Sequence, residues 1–350
     1  MIRILHLVGS PESAFMAELS RLYARDCLQT TADPTRYEPI IAHVDPDGRW
    51  RIVDDLQEVE GARAPALDLA TAVGEIAARG VTVMVPHMFC LTGMTTYRAL
   101  FDALGIPYVG NRPATMALAA HKGRARAVVA DAGVRIARGE LVHDATEITL
   151  APPLVVKPVD GDNSDALALV HDRPALAAAV AEAAGPHPAL VEEYIPLGRE
   201  VRCGIIERGG QLQVLPLEEY AVSDRKPIRD AADKLRRAAG GELELVAKDD
   251  AHAWIVDPAD PVCAIVADAA RRCHVALGCR HYSLFDFRVD PAGRPVFLEA
   301  GLYCSFARQS VIATMARAGG IETPQLFADA VAAAINPSRT RGDAHELQRA

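Results

Sequence analysis

Phe285-Asp286-Phe287-Arg288-Val289 and Pro295-Val296-Phe297-Leu298-Glu299-Ala300 are two apolar runs joined by Asp290-Pro291-Ala292-Gly293. The joining residues have the composition of a tight turn, so Ser283–Val289 and Pro295–Ala300 are predicted to pair as a hairpin. Strand residues alternate faces. Asp286 is flanked by two phenylalanines, and Glu299 follows Phe297 and Leu298, so each carboxylate sits in a strongly apolar strand. An unpaired buried carboxylate is costly. Two of them on paired strands call for a shared cation, and Mg²⁺ takes oxygen ligands of this kind. The blander alternative is a solvated face carrying two unrelated acids.

Working back from this hairpin, Glu200–Glu207 and Gln211–Leu217 alternate around Gly209-Gly210 and form a first hairpin. Between the two, Ala221–Gly241 is polar and charged. It is a candidate lid, with Arg225, Lys226 and Arg229 able to approach phosphate, or else a plain surface loop. Upstream, Val155-Val156-Lys157-Pro158 is a strand ending in a lysine before an acidic, Gly-containing loop (159–165). Lysine is a point charge suited to phosphate oxygens, although an edge lysine also snorkels to solvent. Val191-Glu192-Glu193-Tyr194-Ile195 and Gly198-Arg199-Glu200 read as a strand and linker whose backbone could meet a base edge.

The N-terminal third has a different rhythm. Ile2–Val8, Tyr37–His43, Val81–Val85 and Ile106–Val109 are short apolar strands. They alternate with helical patterns over Glu12–Thr30, Leu67–Arg79 and Thr96–Leu104, which predicts a doubly wound α/β layer. Pro113–Ala132 is predicted as one helix with Lys122 near its middle, followed by strands at Leu154–Lys157 and Ala189–Tyr194 and a helix over Pro174–Ala184. The fold class is therefore mixed α/β and α+β. Its expected divisions are an N-terminal parallel-sheet domain (1–112), a small central α+β domain (113–193) and a C-terminal antiparallel-sheet domain (194–336), with a flexible tail (337–350). Helices are expected over Pro261–Leu277, from about Ser310, and over Pro324–Ile335.

Composition sets limits. At 350 residues the chain is too long for one ordinary core. A net charge of −9 with no basic run argues against a nucleic-acid or anionic-membrane partner. Seven cysteines, with no C-x-x-C pair, suit free thiols in a reducing cytoplasm. No long apolar span or signal peptide is legible.

The order of these pieces is more specific than any one of them. Lys122 in Ala120-His121-Lys122, then VVKP (155–158), EEYI (192–195), GRE (198–200) and FDF…LEA resembles the ATP-grasp superfamily. Pro86-His87, Gly93–Leu104 and Gly105–Asn111 look like the first domain of D-alanine–D-alanine ligases. The resemblance covers roughly 1–335. It implies an ATP-grasp fold and ATP between the central and C-terminal domains, with Lys122 and Lys157 on the phosphates. Glu192, Glu193 and Ile195 would meet adenine, Glu200 would bind ribose, and Asp286 and Glu299 would ligate Mg²⁺. It further implies His87, Ser310 and the loop containing Ser305 near a small amino-acid or carboxylate substrate, and a homodimer as a family habit. The implied reaction moves the γ-phosphoryl group onto a carboxylate, and an amine then displaces phosphate.

Several positions depart from that family. Its metal-binding Asn falls on Gly301, and its Arg before the metal-binding Asp falls on Leu284, so either another cation such as Arg280, Arg288 or Arg308 takes that place or the chemistry is slower. Its ammonium-binding acid falls near Phe15, flanked by Glu12 and Glu18. Its Gly-rich stretch is Met88-Phe89-Cys90-Leu91, and Gly301–Phe306 replaces its substrate loop. The expectation is therefore an amide or dipeptide ligase with substrates other than two D-alanines. Two alternatives stand beside it: a D-alanine–D-alanine ligase proper, and a nucleotide-binding regulator that has lost catalysis.

Overall fold

The computed structural model describes residues 1–60, 64–160, 166–229, 235–237, 243–245 and 252–336. Part of the acidic loop after Lys157, much of the candidate lid, and the tail expected to be flexible lie outside them.

The N-terminal sheet has the order Trp50–Val53, Tyr37–Val44, Ile2–Gly9, Val83–Pro86. Ile2–Gly9 runs parallel to both of its neighbours. Its apolar run is continuous because helices and neighbouring elements bury it from both sides. The helix Ala14–Thr30 packs on it, started by Ser13, whose Oγ accepts from Met16 N. Two details differ from the sequence reading. Trp50–Val53 is an antiparallel edge strand, too short and too interrupted by Arg51 to stand out. Ile106–Val109 makes a single bridge, Tyr108 to Met84, rather than a strand. Pro107 lacks the N–H needed to extend the ladder.

The central sheet has the order Gly139–Val142, Ala189–Glu193, Leu154–Pro158, Ala168–Val170, with Arg173–Ala183 packed against it. The helix predicted over 113–132 is two helices, Pro113–Ala120 and Lys122–Asp131. His121 leaves the helical region (φ −95°, ψ 95°), and its ring accepts from Arg124 N. Lys122 thus opens a helix instead of lying inside one, and its backbone N–H donates to Val159 O at 2.7 Å. That bond fixes it to the strand that carries Lys157.

The C-terminal sheet has the order Ala253–Ile255, Glu218–Tyr220, Arg199–Arg208, Tyr282–Val289, Pro295–Gly301, with Gln211–Val214 also paired to Arg199–Arg208. Both predicted hairpins form. The register sets chemistry on one face, because directly paired residues point the same way and so do residues two apart. One row is Glu218, Arg202, Asp286, Glu299, and the next toward the turn is Tyr220, Glu200, Arg288. The row on the far side is Gly204, Leu284, Gly301. Val201, Cys203, Phe285 and Phe287 fill the opposite face and pack on the helix Pro261–Ala276.

Asn111 joins the first sheet to the last. Fully buried, it donates from Nδ2 to Tyr282 O (3.0 Å) and Leu302 O (3.1 Å), and its Oδ1 accepts from Arg280 N (2.8 Å). Gly110 N donates to His281 Nδ1 at 2.9 Å. Gly110 has φ +93°, and a Cβ there would collide with Tyr282 Oη, so the turn requires glycine.

This packing makes the fold acid-sensitive. Burial, the largest cause in each case, lowers the pKa of His6, His43 and His281 to about 4. An unfolded histidine titrates near about 6.5. Between these values the unfolded chain binds more protons, so stability is complete above about pH 6.5 and falls as pH drops toward 4. Each group withholds on the order of 3 kcal/mol at the low end. Urea midpoints followed from pH 7.5 to 4.5 are expected to decline steadily below 6.5. A flat profile would contradict neutral burial of these rings.

Candidate active site

One cleft between the central and C-terminal sheets is lined by Lys122, Lys157, Glu192, Glu193, Ile195, Glu200, Asp286, Arg288 and Glu299. These are the residues that the sequence singled out for nucleotide and metal, brought together from six separate elements and the linker that carries Ile195. Val155, Leu167, Ala137, Ile195 and Leu298 supply apolar walls. An apolar slot that opens onto fixed charges suits a base at one end and phosphates at the other.

The charges are paired with one another. Lys157 Nζ lies 2.6 Å from Glu192 Oε2, and Arg126 Nε lies 3.2 Å from the other oxygen. Glu193 pairs with Arg138 at 3.1 Å. Glu200 is buried and accepts from Arg229 Nε and Arg288 Nη2, each at 2.8 Å. Arg229 lies over the Tyr220 ring, 3.6 Å from its centroid, and 3.9 Å from Asp286 Oδ2. Both oxygens of Asp286 accept from Arg202, Oδ1 from Nε and Oδ2 from Nη2. Burial works against the charge of Arg202, but the adjacent Asp286 carboxylate, together with Tyr220 and Glu218, outweighs it and holds the guanidinium well above its usual pKa. Glu299, paired in register with Asp286, is half-buried, with Oε2 3.9 Å from Lys122 Nζ.

This pattern bears on the expected cation. Asp286 is not the lone buried carboxylate that the sequence suggested, because Arg202 already neutralises it. A carboxylate oxygen carries two lone pairs, so Asp286 can hold Arg202 and still offer an oxygen to a metal. Glu299 has solvent on one side, and register partners bring their Cβ atoms within about 5 Å of each other. The pair therefore fits a divalent ion. Arg288 Nε and Nη1 are buried with no hydrogen-bond partner among the described residues. Such donors at a cleft wall are suited to an anionic ligand.

Five other candidates do not line this cleft. Arg280 donates from Nε to Gly110 O at 2.7 Å and stacks on Tyr108, which makes it part of the junction with the first sheet. His87 is buried, and its Nε2 lies 2.9 Å from His6 Nδ1. Ser310 Oγ donates to Ser305 O and accepts from Ala313 N, capping the helix Val311–Ala318. Ser305 Oγ accepts from Ala307 N. Glu12, near the position of the expected ammonium-binding acid, accepts from Thr92 N at 2.8 Å. Arg202, Arg126 and Tyr220 are site residues that the sequence reading passed over. Alternation was the available signal, since Arg202 lies two residues beyond Glu200 and shares its face.

A family model described as the D-ala D-ala ligase C-terminus matches residues 128–332, which include every one of these cleft residues except Lys122 and Arg126. The chain belongs to the D-alanine–D-alanine ligase family. It is accordingly an ADP-forming ATP-grasp ligase. A D-alanine–D-alanine ligase of Mycolicibacterium smegmatis is 28% identical over 336 residues, covering 87% of this chain and 88% of that protein. One from Desulfotalea psychrophila is 29% identical over 291 residues, covering 80% and 86%. The fold matches the D-alanine–D-alanine ligase structure from Coxiella burnetii with a TM-score of 0.76 at 19% identity, over 100% of this chain and 98% of that one. The VanG D-Ala:D-Ser ligase from Enterococcus faecalis gives 0.73 at 21% identity, over 95% and 98%.

In this ligase Gly198 backs onto the strand that carries Asp286. A Cβ at Gly198 would collide with Val289 O, a backbone atom that cannot swing away. Gly198→Ala is expected to destabilise the fold by about 2 kcal/mol and to raise the KM for ATP, because Glu200 lies two residues on. Unchanged melting and KM would show that the linker relaxes freely.

Proposed function

We propose that this ligase joins two small amino acids through an acyl phosphate, with D-alanine as the carboxylate donor and D-alanine as the amine acceptor. The observation that carries the reading is the facing of Asp286 and Glu299 with Lys122 and Lys157 across one cleft. The names of the matching relatives supply the amino acid. We further propose that residues 1–112, 113–193 and 194–336 are its three domains.

In this reading the adenine lies against Val155, Leu167 and Leu298, with Glu192 accepting from its amino group and the backbone at Glu193 and Ile195 completing the contact. Glu200 accepts from ribose hydroxyls once Arg229 moves off its Oε1. Lys122 and Lys157 hold phosphate oxygens, and Asp286 and Glu299 hold Mg²⁺. The ion would supply charge neutralisation on the phosphates and a template for in-line transfer. A substrate carboxylate oxygen attacks the γ-phosphorus and ADP leaves. The amine of the second substrate then attacks the acyl carbon, loses a proton, and expels phosphate. Lys122 and Arg288, fixed before reaction, stabilise the developing charge without reorganising.

A second reading is an acceptor other than D-alanine. It is favoured by Leu284 and Gly301, which place no polar side chain on the far row of the site face. One screen tests both: ADP release with D-alanine alone, then with D-alanine paired with other amino acids, with products identified by mass. D-alanyl-D-alanine supports the first reading, and a mixed dipeptide supports the second. Nucleotide binding without turnover on any pair would favour a regulator over an enzyme.

A further inference from the structure

We propose that Arg202 serves as a built-in positive charge in place of a second divalent cation, so that one ion, held by Asp286 and Glu299, accompanies each bound nucleotide. The inference rests on the proposed ligase reading and goes beyond it to the metal count.

The site face has three rows, and the metal pair lies in the middle one. A second ion that shared Glu299 or Asp286 would sit about 3.5–4 Å from the first, over one of the flanking rows. Toward the far side that row is Gly204, Leu284 and Gly301. None offers a side-chain oxygen, and a Cβ at Gly301 would meet nothing nearer than Leu284 Cβ at 3.9 Å. Mg²⁺ needs near-octahedral oxygen ligation, with carboxylates anchoring it against its own reluctance to shed water. On the other side the row is Tyr220, Glu200 and Arg288. Glu200 is already taken by Arg229 and Arg288, so an ion there would face two guanidinium groups. The remaining neighbour in the middle row is Arg202, which grips both oxygens of Asp286. It lies over the Tyr220 ring, 5.6 Å from the centroid, and is largely buried. Arg202 thus delivers one positive charge next to the first ion, in a fixed place, with no ligand set of its own to assemble.

The test counts ions on the full chain. The chain is saturated with a non-hydrolysable ATP analogue and titrated with Mn²⁺, with calorimetry and electron paramagnetic resonance as readouts. One Mn²⁺ per bound analogue, with no spin-coupled pair, is expected. Two coupled ions per analogue would overturn the inference and leave the ligase reading standing. Failure of the analogue to bind would overturn the ligase reading, and the inference with it. The double variant Arg202→Met/Gly301→Asn removes the guanidinium and adds an amide oxygen, and is expected to take up a second, coupled Mn²⁺. If that variant is folded and still binds one, Arg202 is not what limits the count. If it does not fold, Arg202→Gln is read instead. Combined with the same Gly301→Asn, it keeps a donor to Asp286 and must also raise the count.

Discussion

Glu299→Gln is expected to lower ADP release by at least about 10²–10³-fold, the scale on which removal of one preorganised electrostatic group slows an enzyme, while leaving the fold nearly as stable as before. The two halves of this expectation have different origins. Glutamine keeps the shape of glutamate and loses the charge that a cation requires. Stability depends on what Glu299 does without ligand, and there its ion pair is a 3.9 Å approach to Lys122 with a third of its side chain exposed. A pair of that kind contributes at most about 1 kcal/mol. Turnover by a coupled ADP assay and a thermal melt on the same sample separate the two. Activity within tenfold of the parent would remove Glu299 from the metal site. A large loss of stability would mean that the charge is structural.

Much of this site is legible in the sequence because its chemistry contradicts its surroundings. Asp286 between two phenylalanines and Lys157 at the end of an apolar strand are costly choices that need a reason, and the cleft supplies it. Glu200 and Arg288 follow from alternation once the hairpins are recognised. The misses also have physical causes. Arg202 looks like an ordinary polar position of a strand until the register sets it opposite Asp286, and register is a tertiary fact. Arg280 and His87 come from resemblance alone, and their surroundings are not legible in the sequence, because a guanidinium or an imidazole acts according to its neighbours. Here those neighbours are backbone carbonyls of the junction and a second buried histidine. Ser310 has a local role that the sequence does allow, since a serine just before a helix is most simply its cap. The short strands at Gly139–Val142, Glu218–Tyr220 and Ala253–Ile255 are three or four residues long, too brief for a period to declare itself.

Asp286→Asn is expected to differ from Glu299→Gln in a way that exposes the arginine pair. It should lose comparable activity and also destabilise the fold by about 3–5 kcal/mol, the usual cost of removing one partner from a buried pair. Asparagine can still accept one hydrogen bond from Arg202, but it removes the negative charge that offsets burial of the guanidinium. The cation is then held among Tyr220, Glu218 and the second arginine, Arg229. Replacing both members should restore what replacing one destroys. Asp286→Asn/Arg202→Met is expected to recover most of the lost stability in urea denaturation, because a neutral side chain of similar reach no longer needs a counter-charge. Its turnover should stay as low as that of the single variant, because the metal oxygen has not returned. The double-mutant cycle would thus give a large coupling in stability. An Asp286→Asn protein as stable as the parent would mean that Glu218 or Glu200 can neutralise Arg202 unaided. Asp286 would then be held in place chiefly for the metal.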